Sequence, residues 1–115
     1  MMINPKYANS IFVLANLLSE RNVPFSLNSC WDGLQMRFPW NGGDIICHSG
    51  SYHSDDNCVE SMGCPWDNND VSCLSLEEAY VNIVDWYQKE YAKKLLKLLT
   101  TLLKSDTMYL QKERR

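Results

Sequence analysis

Six cysteine and histidine side chains in the middle of the chain are of the types that bind zinc or act as nucleophile and general base. They are Cys47, His48, His53, Cys58, Cys64 and Cys73. A structural zinc site takes closely spaced pairs such as C-x-x-C, because two ligands must converge from one turn. The stretch contains no such pair, so we expect the cysteines to act as small hydrophobic residues and predict no cofactor.

A nucleophilic enzyme would need a recognisable motif around its serine or cysteine. The chain has no G-x-S-x-G turn and no cysteine signature of a protease family. A histidine in a loop or at a strand end is more often a structural hydrogen-bonding residue than a general base. The sequence therefore predicts that the protein is not an enzyme. The alternative is a metal-dependent or otherwise catalytic protein built on His48, His53, Cys58, Cys64 and Cys73.

Charge is distributed unevenly along the chain. Residues 38–88 contain nine carboxylates and neither lysine nor arginine, whereas residues 89–115 contain eight basic and three acidic residues. Uncompensated charge repels itself, so we expect a basic partner to neutralise the acidic stretch. Direct binding to nucleic acid is not expected, because the acidic half would repel phosphates. The predicted partner-binding residues are Asp44, Tyr52, Asp55, Asp56, Glu60, Trp66, Asp67 and Asp70.

The first and last parts of the chain have the periodicity of helices. Asn4 can cap a helix that begins at Pro5, and apolar residues then recur every three or four positions to Leu18. Ser75 and Glu78 form a capping box, which predicts the start of a second helix. That helix meets no glycine or proline before residue 104, so it has about 30 residues and a length of about 45 Å.

Between the helices, the sequence predicts three short antiparallel strands and then a long loop. The strands lie near residues 25–27, 34–38 and 44–49, with turn sequences at Asp32-Gly33 and Asn41-Gly42-Gly43. Residues 49–73 are rich in Gly, Ser, Asp, Asn and Pro without a sustained period. The predicted fold is therefore α+β, with an N-terminal helix, a three-stranded antiparallel sheet, a long acidic loop and a long C-terminal helix.

We expect residues 1–92 to form an α+β domain, and residues 93–115 a helical extension of the same domain that is rich in leucine and lysine. The longest apolar run, residues 11–18, is too short to span a membrane, and the first residues lack the features of a signal peptide. We therefore expect a cytoplasmic protein with free cysteines and no membrane partner.

The second helix has an apolar stripe in its second half. Tyr91, Leu95, Leu98 and Leu102 follow one another in heptad a and d steps. The stripe either packs within the molecule, on the first helix or the sheet, or pairs with a second copy as a homodimer interface. We expect the neighbouring lysines to form a solvated face rather than a phosphate-binding track.

Several short motifs lie between Trp31 and Ala79. They are Trp31-Asp32-Gly33, Gly43-Asp44 with His48, Ser51-Tyr52, Glu60-Ser61-Met62-Gly63 and Leu74-Ser75-Leu76-Glu77-Glu78-Ala79. By these motifs the sequence resembles a group of small uncharacterised proteins of phages and prophages of Gram-positive bacteria. The resemblance spans less than half of the chain, and the cysteines and the extension after Ala92 lie outside it.

The predicted order of elements and the acidity are also similar to those of certain small anti-CRISPR proteins. Those proteins occupy the site at which a type II effector nuclease binds a short motif in duplex DNA. The similarity implies a phage-encoded inhibitor in the cytoplasm of the bacterial host cell. Its acidic, DNA-mimicking surface would bind a basic groove of a host nuclease or another nucleic-acid-binding protein. The alternative is a small zinc-binding or regulatory dimeric phage protein with no DNA mimicry.

Overall fold

The computed structural model describes the backbone of residues 2–113 and the side chains of residues 2–104. In chain order its elements are α1 (Pro5–Glu20), β1 (Ser26–Cys30), β2 (Gly33–Arg37), β3 (Asp44–Cys47), β4 (Cys58–Met62), β5 (Val71–Ser75) and α2 (Leu76–Glu113), with short 3-10 turns at Ser54–Asp56 and Pro65–Asp67. Arg114 and Arg115, at the end of the predicted extension, lie outside the described residues.

The α+β class, the N-terminal helix, the antiparallel sheet and the long C-terminal helix are confirmed. The predicted number of strands is wrong, because the sheet has five strands in the consecutive order β1-β2-β3-β4-β5, with every pair antiparallel. The predicted long acidic loop over residues 49–73 is therefore also wrong. That segment contains β4 and the first part of β5.

The alternation of buried and exposed positions in β4 is hidden from a hydropathy pattern. Val59 and Ser61 face the core and are fully buried, whereas Met62 is exposed. A buried serine beside an exposed methionine reverses the usual pattern of a half-buried strand. The Ser61 hydroxyl is satisfied inside the protein, because it donates to the Asp67 carboxylate at 2.6 Å and accepts from the Trp66 indole at 2.9 Å.

Both helices pack against the same face of the sheet. α1 begins as predicted, since the Asn4 side chain accepts a hydrogen bond from the Lys6 backbone N–H at 3.0 Å and Pro5 occupies the first turn. The largest part of the buried core consists of Ile11, Leu14 and Leu18 of α1, Met36, Ile45 and Val59 of the strands, and Ala79, Ile83 and Trp86 of α2.

The opposite face of the sheet is covered by neither helix, and we call it the open face. Its central row runs across four strands, in which neighbouring residues are paired in register. The row is formed by Gln35, Ile46, Glu60 and Cys73, all of them half-buried or exposed. This face therefore mixes carboxylate, amide and apolar groups that a partner could contact.

The strand directions define two ends of the sheet. At one end β2 starts, β3 ends, β4 starts and β5 ends, as the pairing of Leu34 with Cys47 and of Cys58 with Ser75 requires. Both helices also begin at this end. At the other end, which we call the far end, lie residues 38–43 and 63–70, and there α2 passes beyond the sheet.

The start of α2 is the capping box that the sequence predicts. The Glu78 backbone N–H donates to the Ser75 hydroxyl at 3.1 Å, and the Ser75 N–H donates to the Glu78 carboxylate at 3.4 Å. The helix has 38 residues, which is more than predicted. At 1.5 Å per residue it is about 57 Å long. Its second half projects beyond the sheet, and the molecule with this projection measures 70 × 26 × 22 Å.

Candidate acidic interface

The end of the sheet at which both helices begin is held together by Asp32, in the turn between β1 and β2. Its backbone carbonyl accepts a hydrogen bond from Asn4 N at 2.7 Å, and its carboxylate accepts one from Ser49 N at 2.9 Å. The bond from Ser49 is the main reason that the pKa of Asp32 is lowered. Asp32 therefore fixes the start of α1 and the β3–β4 loop relative to the sheet.

A second link at this end joins α1 to the short 3-10 turn before β4. The Asp55 carboxylate contacts Lys6 Nζ at 2.7 Å and accepts a hydrogen bond from the Tyr7 hydroxyl at 3.1 Å. These contacts, chiefly the hydrogen bonds from Lys6 and Tyr7, lower the pKa of Asp55. The hydrogen bond to Asp55 in turn raises the pKa of Lys6. Asp55 is thus compensated by a base that lies far from it in sequence.

Six carboxylates from four segments lie toward this end of the sheet, which we call the acidic end. Lys6 is paired with one of them, Asp55. Glu60 sits on the open face beside this end and accepts a hydrogen bond from Tyr52 N at 3.0 Å. The six residues of the acidic end are Asp32, Asp55, Asp56, Glu60, Glu77 and Glu78.

Two exposed aromatic side chains stand at the acidic end. Trp31 is 68% exposed and Tyr52 is 66% exposed. Trp31 lies in the β1–β2 turn with a φ of 55°, a left-handed conformation that is uncommon for a bulky residue. Its ring stacks on His48, with 5.9 Å between the ring centroids and 17° between the planes. Exposed aromatic residues of this kind are typical anchors of protein interfaces.

His48 organises the loop that carries Tyr52. Its Nδ1 accepts a hydrogen bond from Gly50 N at 2.9 Å, so the ring proton resides on Nε2. Its backbone N–H donates to the Ser51 hydroxyl at 3.0 Å, and that hydroxyl donates to the His48 carbonyl at 2.8 Å. In this structure His48 therefore shapes the loop and supports the Trp31 ring.

Two of the predicted partner-binding residues contact the far end of the core. Asp67 is 4% exposed, and its carboxylate accepts hydrogen bonds from Ser61 Oγ and from Cys64 N at 2.8 Å. Trp66 packs on Trp86 in the core, with 5.5 Å between the ring centroids. The prediction that Asp67 lies on a partner-binding surface is therefore wrong for this fold, because its carboxylate is buried. Trp66 is half-buried, so its predicted role stays a prediction.

Asp44 and Asp70 are accessible but lie at the far end. The Asp44 carboxylate accepts a hydrogen bond from Gln35 Nε2 at 2.7 Å on the open face, and Asp44 pairs with Arg37 across β2 and β3. Asp70 accepts from Val71 N at 2.8 Å in the turn before β5. The structure thus brings together Tyr52, Asp55, Asp56 and Glu60 of the predicted set and separates Asp44 and Asp70 from them.

All five cysteines are free, and four of them are poorly suited to nucleophilic chemistry. Burial, together with the nearby Asp67 carboxylate, raises the pKa of the Cys64 thiol to about 12. Burial also raises the pKa of Cys30, Cys47 and Cys73. A thiol with a raised pKa is rarely present as the reactive thiolate. In the described region, no three histidine, cysteine, aspartate or glutamate side chains are grouped so that they could hold a metal ion.

Four residues of this interface were not predicted from the sequence. Glu77 and Glu78 had an evident local role in the capping box, while Trp31 and Asp32 looked like ordinary turn residues. Their positions at the same end of the sheet as Asp55 follow from the order of strands and from the common starting point of the two helices. Without the pairing of β4 with β3 and β5, the pattern of the sequence could not place them together.

No protein-family model, no curated protein and no solved structure matches this chain. None of the helices in the described part of the chain combines the length and the apolar character needed to cross a membrane.

Proposed function

We propose that the protein is a non-catalytic binding module that docks its acidic end onto a basic surface of a partner protein. The observation that supports this most directly is the position of six carboxylates toward one end of the sheet, with exposed Trp31 and Tyr52 at the same end. Carboxylates provide complementarity to a basic groove, while aromatic side chains provide the apolar contact area that affinity requires. A rigid sheet end holds both kinds of group in place before binding.

The charge of the domain as a whole favours the same kind of partner. Residues 1–92 contain twelve acidic and four basic residues, a net charge of −8. Two of the four bases, Lys6 and Lys89, are already paired with Asp55 and Asp85. The domain therefore presents a negative field that attracts a basic partner and that salt would screen.

The proposed partner is a host nuclease or another nucleic-acid-binding enzyme, and the chain is proposed to be a phage-encoded, anti-CRISPR-like inhibitor in the cytoplasm of a bacterial host cell. Nucleic-acid enzymes have basic grooves that bind phosphates, so a surface of spaced carboxylates can compete for them. The resemblance to phage proteins supports this choice of partner. Within the proposal, Asp56, Glu60 and Glu77 stand in for phosphates and Trp31 and Tyr52 act as anchors.

The proposal is tested by capturing partners from a lysate of the bacterial host with two charge-reversed variants of equal net charge. One variant carries Asp56→Lys and Glu77→Lys at the acidic end. The control carries Glu20→Lys and Asp70→Lys at the far end. All four side chains are exposed, so both variants should fold, which thermal unfolding checks.

We expect the acidic-end variant to capture at least about tenfold less of the partner than the unmodified protein does, whereas the far-end variant should capture the same amount. The captured protein should be a nucleic-acid-binding enzyme. If both variants capture the same protein equally well, the acidic end is not the interface and the proposal is wrong.

A regulatory or assembly protein that acts as a dimer is the second candidate. The exposed leucines of α2 favour it, because they form an apolar surface that the domain itself does not cover. In that case the acidity serves solubility, and reversal at either end should leave function unchanged.

A further inference from the structure

The projecting half of α2 carries an apolar surface that lies in solvent. Five of its leucines, namely Leu95, Leu96, Leu98, Leu99 and Leu102, are between 43% and 67% exposed, and Tyr91 is 55% exposed. Each of these residues lies about one helical turn or less from the next, and together they cover about 18 Å of the helix at 1.5 Å per residue. A continuous apolar strip of this kind is normally covered by another surface.

This strip does not follow the line of α2 that carries the buried Ala79 and Trp86. Trp86 marks the buried face, with 5% exposure. At 100° per residue, Leu95 lies about 180° around the helix from Trp86, whereas Lys97 and Lys104 lie within about 20° of its line. The lysines therefore follow the line of Trp86, whereas Tyr91, Leu98 and Leu102 follow the side of α2 on which Tyr80 and Val84 are half-buried against the core. The leucines do not pack on the chain's own domain, one of the two expected arrangements, because they are exposed on the part of α2 that projects beyond the sheet.

The exposed strip begins on the domain itself. Val81 is 56% exposed, and Gln88 and Tyr91 follow it on the outer side of α2. Val84, the d position between Val81 and Gln88, is half-buried against the core. The exposed positions with heptad a and d spacing therefore run from Gln88 through Tyr91, Leu95 and Leu98 to Leu102. A sustained seam of this type fits a second helix along α2 better than it fits an irregular partner.

The charges decide how a second helix would run. Residues 1–92 carry a net charge of −8, whereas residues 93–115 contain seven basic and two acidic residues, a net charge of +5. A parallel pair would place two strongly acidic domains side by side. An antiparallel pair would place each basic extension against the acidic domain of the other copy.

We infer that α2 binds α2 of a second copy of this chain in antiparallel orientation. The arrangement pairs Tyr91 with Leu102 of the second copy and Leu95 with its Leu98, which matches a positions with d positions. In this register the backbone of residues 105–113 runs alongside residues 80–88 of the other copy, so the overlap extends well beyond the exposed leucines. This inference goes beyond the proposed function and does not depend on it.

The mass in solution is the first test. Light scattering of the full chain across a range of concentrations should give twice the chain mass of 13.3 kDa. The Leu95→Ser, Leu98→Ser variant should be monomeric. It should still unfold cooperatively, because both residues lie outside the core, but at a temperature that no longer depends on protein concentration. The matched control Lys93→Ser, Lys97→Ser, on the other side of the helix, should remain dimeric.

Orientation is tested by cross-linking two single-cysteine additions, Tyr91→Cys and Leu102→Cys, mixed in equal amounts and oxidised with diamide. An antiparallel pair predicts disulfides between positions 91 and 102 of different copies, identified by peptide mass mapping. Disulfides joining 91 to 91 and 102 to 102 would show a parallel pair and overturn the inference.

Two further outcomes would also overturn it. One is a monomeric mass for the intact chain at all concentrations. The other is a monomer that binds vesicles containing an anionic phospholipid but not vesicles of neutral phosphatidylcholine, since a leucine and lysine helix of this kind can also lie on a charged membrane surface.

Discussion

Asp67 illustrates how a residue's role depends on where the fold places it. In sequence it belongs to a run of exposed-looking Asx residues, yet its carboxylate is buried and joins Ser61 to the backbone of Cys64. Sequence spacing could not distinguish it from exposed Asp70, because the difference arises from the 3-10 turn that folds Asp67 back under β4. The charge of a side chain predicts surface exposure on average, and hydrogen-bond partners override it.

This placement predicts a large difference between two aspartates three positions apart. Asp67→Ala should lower the free energy of unfolding by about 2–3 kcal/mol, because it leaves a buried hydroxyl and a buried N–H without their acceptor. Asp70→Ala should change it by less than about 1 kcal/mol. Urea denaturation of both variants measures this, and equal values would show that the Asp67 network does not stabilise the fold.

Asp32 and Asp55 predict acid sensitivity at the acidic end. The folded-state pKa of each is lower than in the unfolded chain, so their stabilising effect is complete above the unfolded value and is lost as the pH falls through the folded value. The unfolded value for aspartate is about 3.9. Asp32→Asn should therefore be less stable than the wild type at neutral pH, with the difference shrinking below about pH 4. Thermal unfolding of both proteins, measured at intervals of about one pH unit from about pH 2 to about pH 7, tests this expected difference in stability. A difference independent of pH would contradict it.

Trp31 offers a test that separates stability from binding. Asparagine tolerates the left-handed conformation of this position, so Trp31→Asn should alter the free energy of unfolding by no more than about 1 kcal/mol, mainly through the lost stacking on His48. Binding to the partner should fall by at least about tenfold if Trp31 is an anchor. Unchanged affinity in a folded variant would remove Trp31 from the interface.

Among the elements, the helices were the most predictable from sequence. Asn4 with Pro5 and Ser75 with Glu78 define helix starts through local hydrogen bonds, which require no knowledge of the rest of the fold. β4 and β5 were missed because their inward positions include Ser61 and Ser72, whose burial depends on tertiary contacts. The acidic end could not be assembled from sequence for the same reason, since it requires the order of all five strands.

Gly33 tests whether the junction of β2 and β3 positions the acidic end. A Cβ at this position would lie 1.8 Å from the Cys47 carbonyl oxygen, so Gly33→Ala must force the two strands apart. We expect a loss of at least about 3 kcal/mol of folding free energy. Gly42→Ala is the matched control, because a Cβ there meets no atom within 4 Å. Equal unfolding midpoints in urea would contradict the close strand packing described here.

At the scale of the whole molecule, the dominant feature is the separation of charge between an acidic domain and a basic helix. The net charge of −3 conceals it, because −8 in residues 1–92 is offset by +5 in residues 93–115. In the described part of the chain, the lysines of residues 93–104 lie on the helix that projects from the acidic domain of an elongated molecule. One end can therefore bind a basic partner while the projecting helix pairs with another copy, which would present two acidic ends per assembly.

The measurement that tests the proposed function most directly is competition between this protein and duplex DNA for the captured partner. Fluorescence anisotropy of the labelled protein on the purified partner should fall as a short unlabelled duplex is added. The duplex should displace the protein because both ligands would use the same basic groove. Affinity without the duplex should weaken steeply as salt is raised, because salt screens the charges that attract the two proteins. If the labelled protein stays bound at saturating duplex, the two occupy different sites and the acidic end does not imitate DNA.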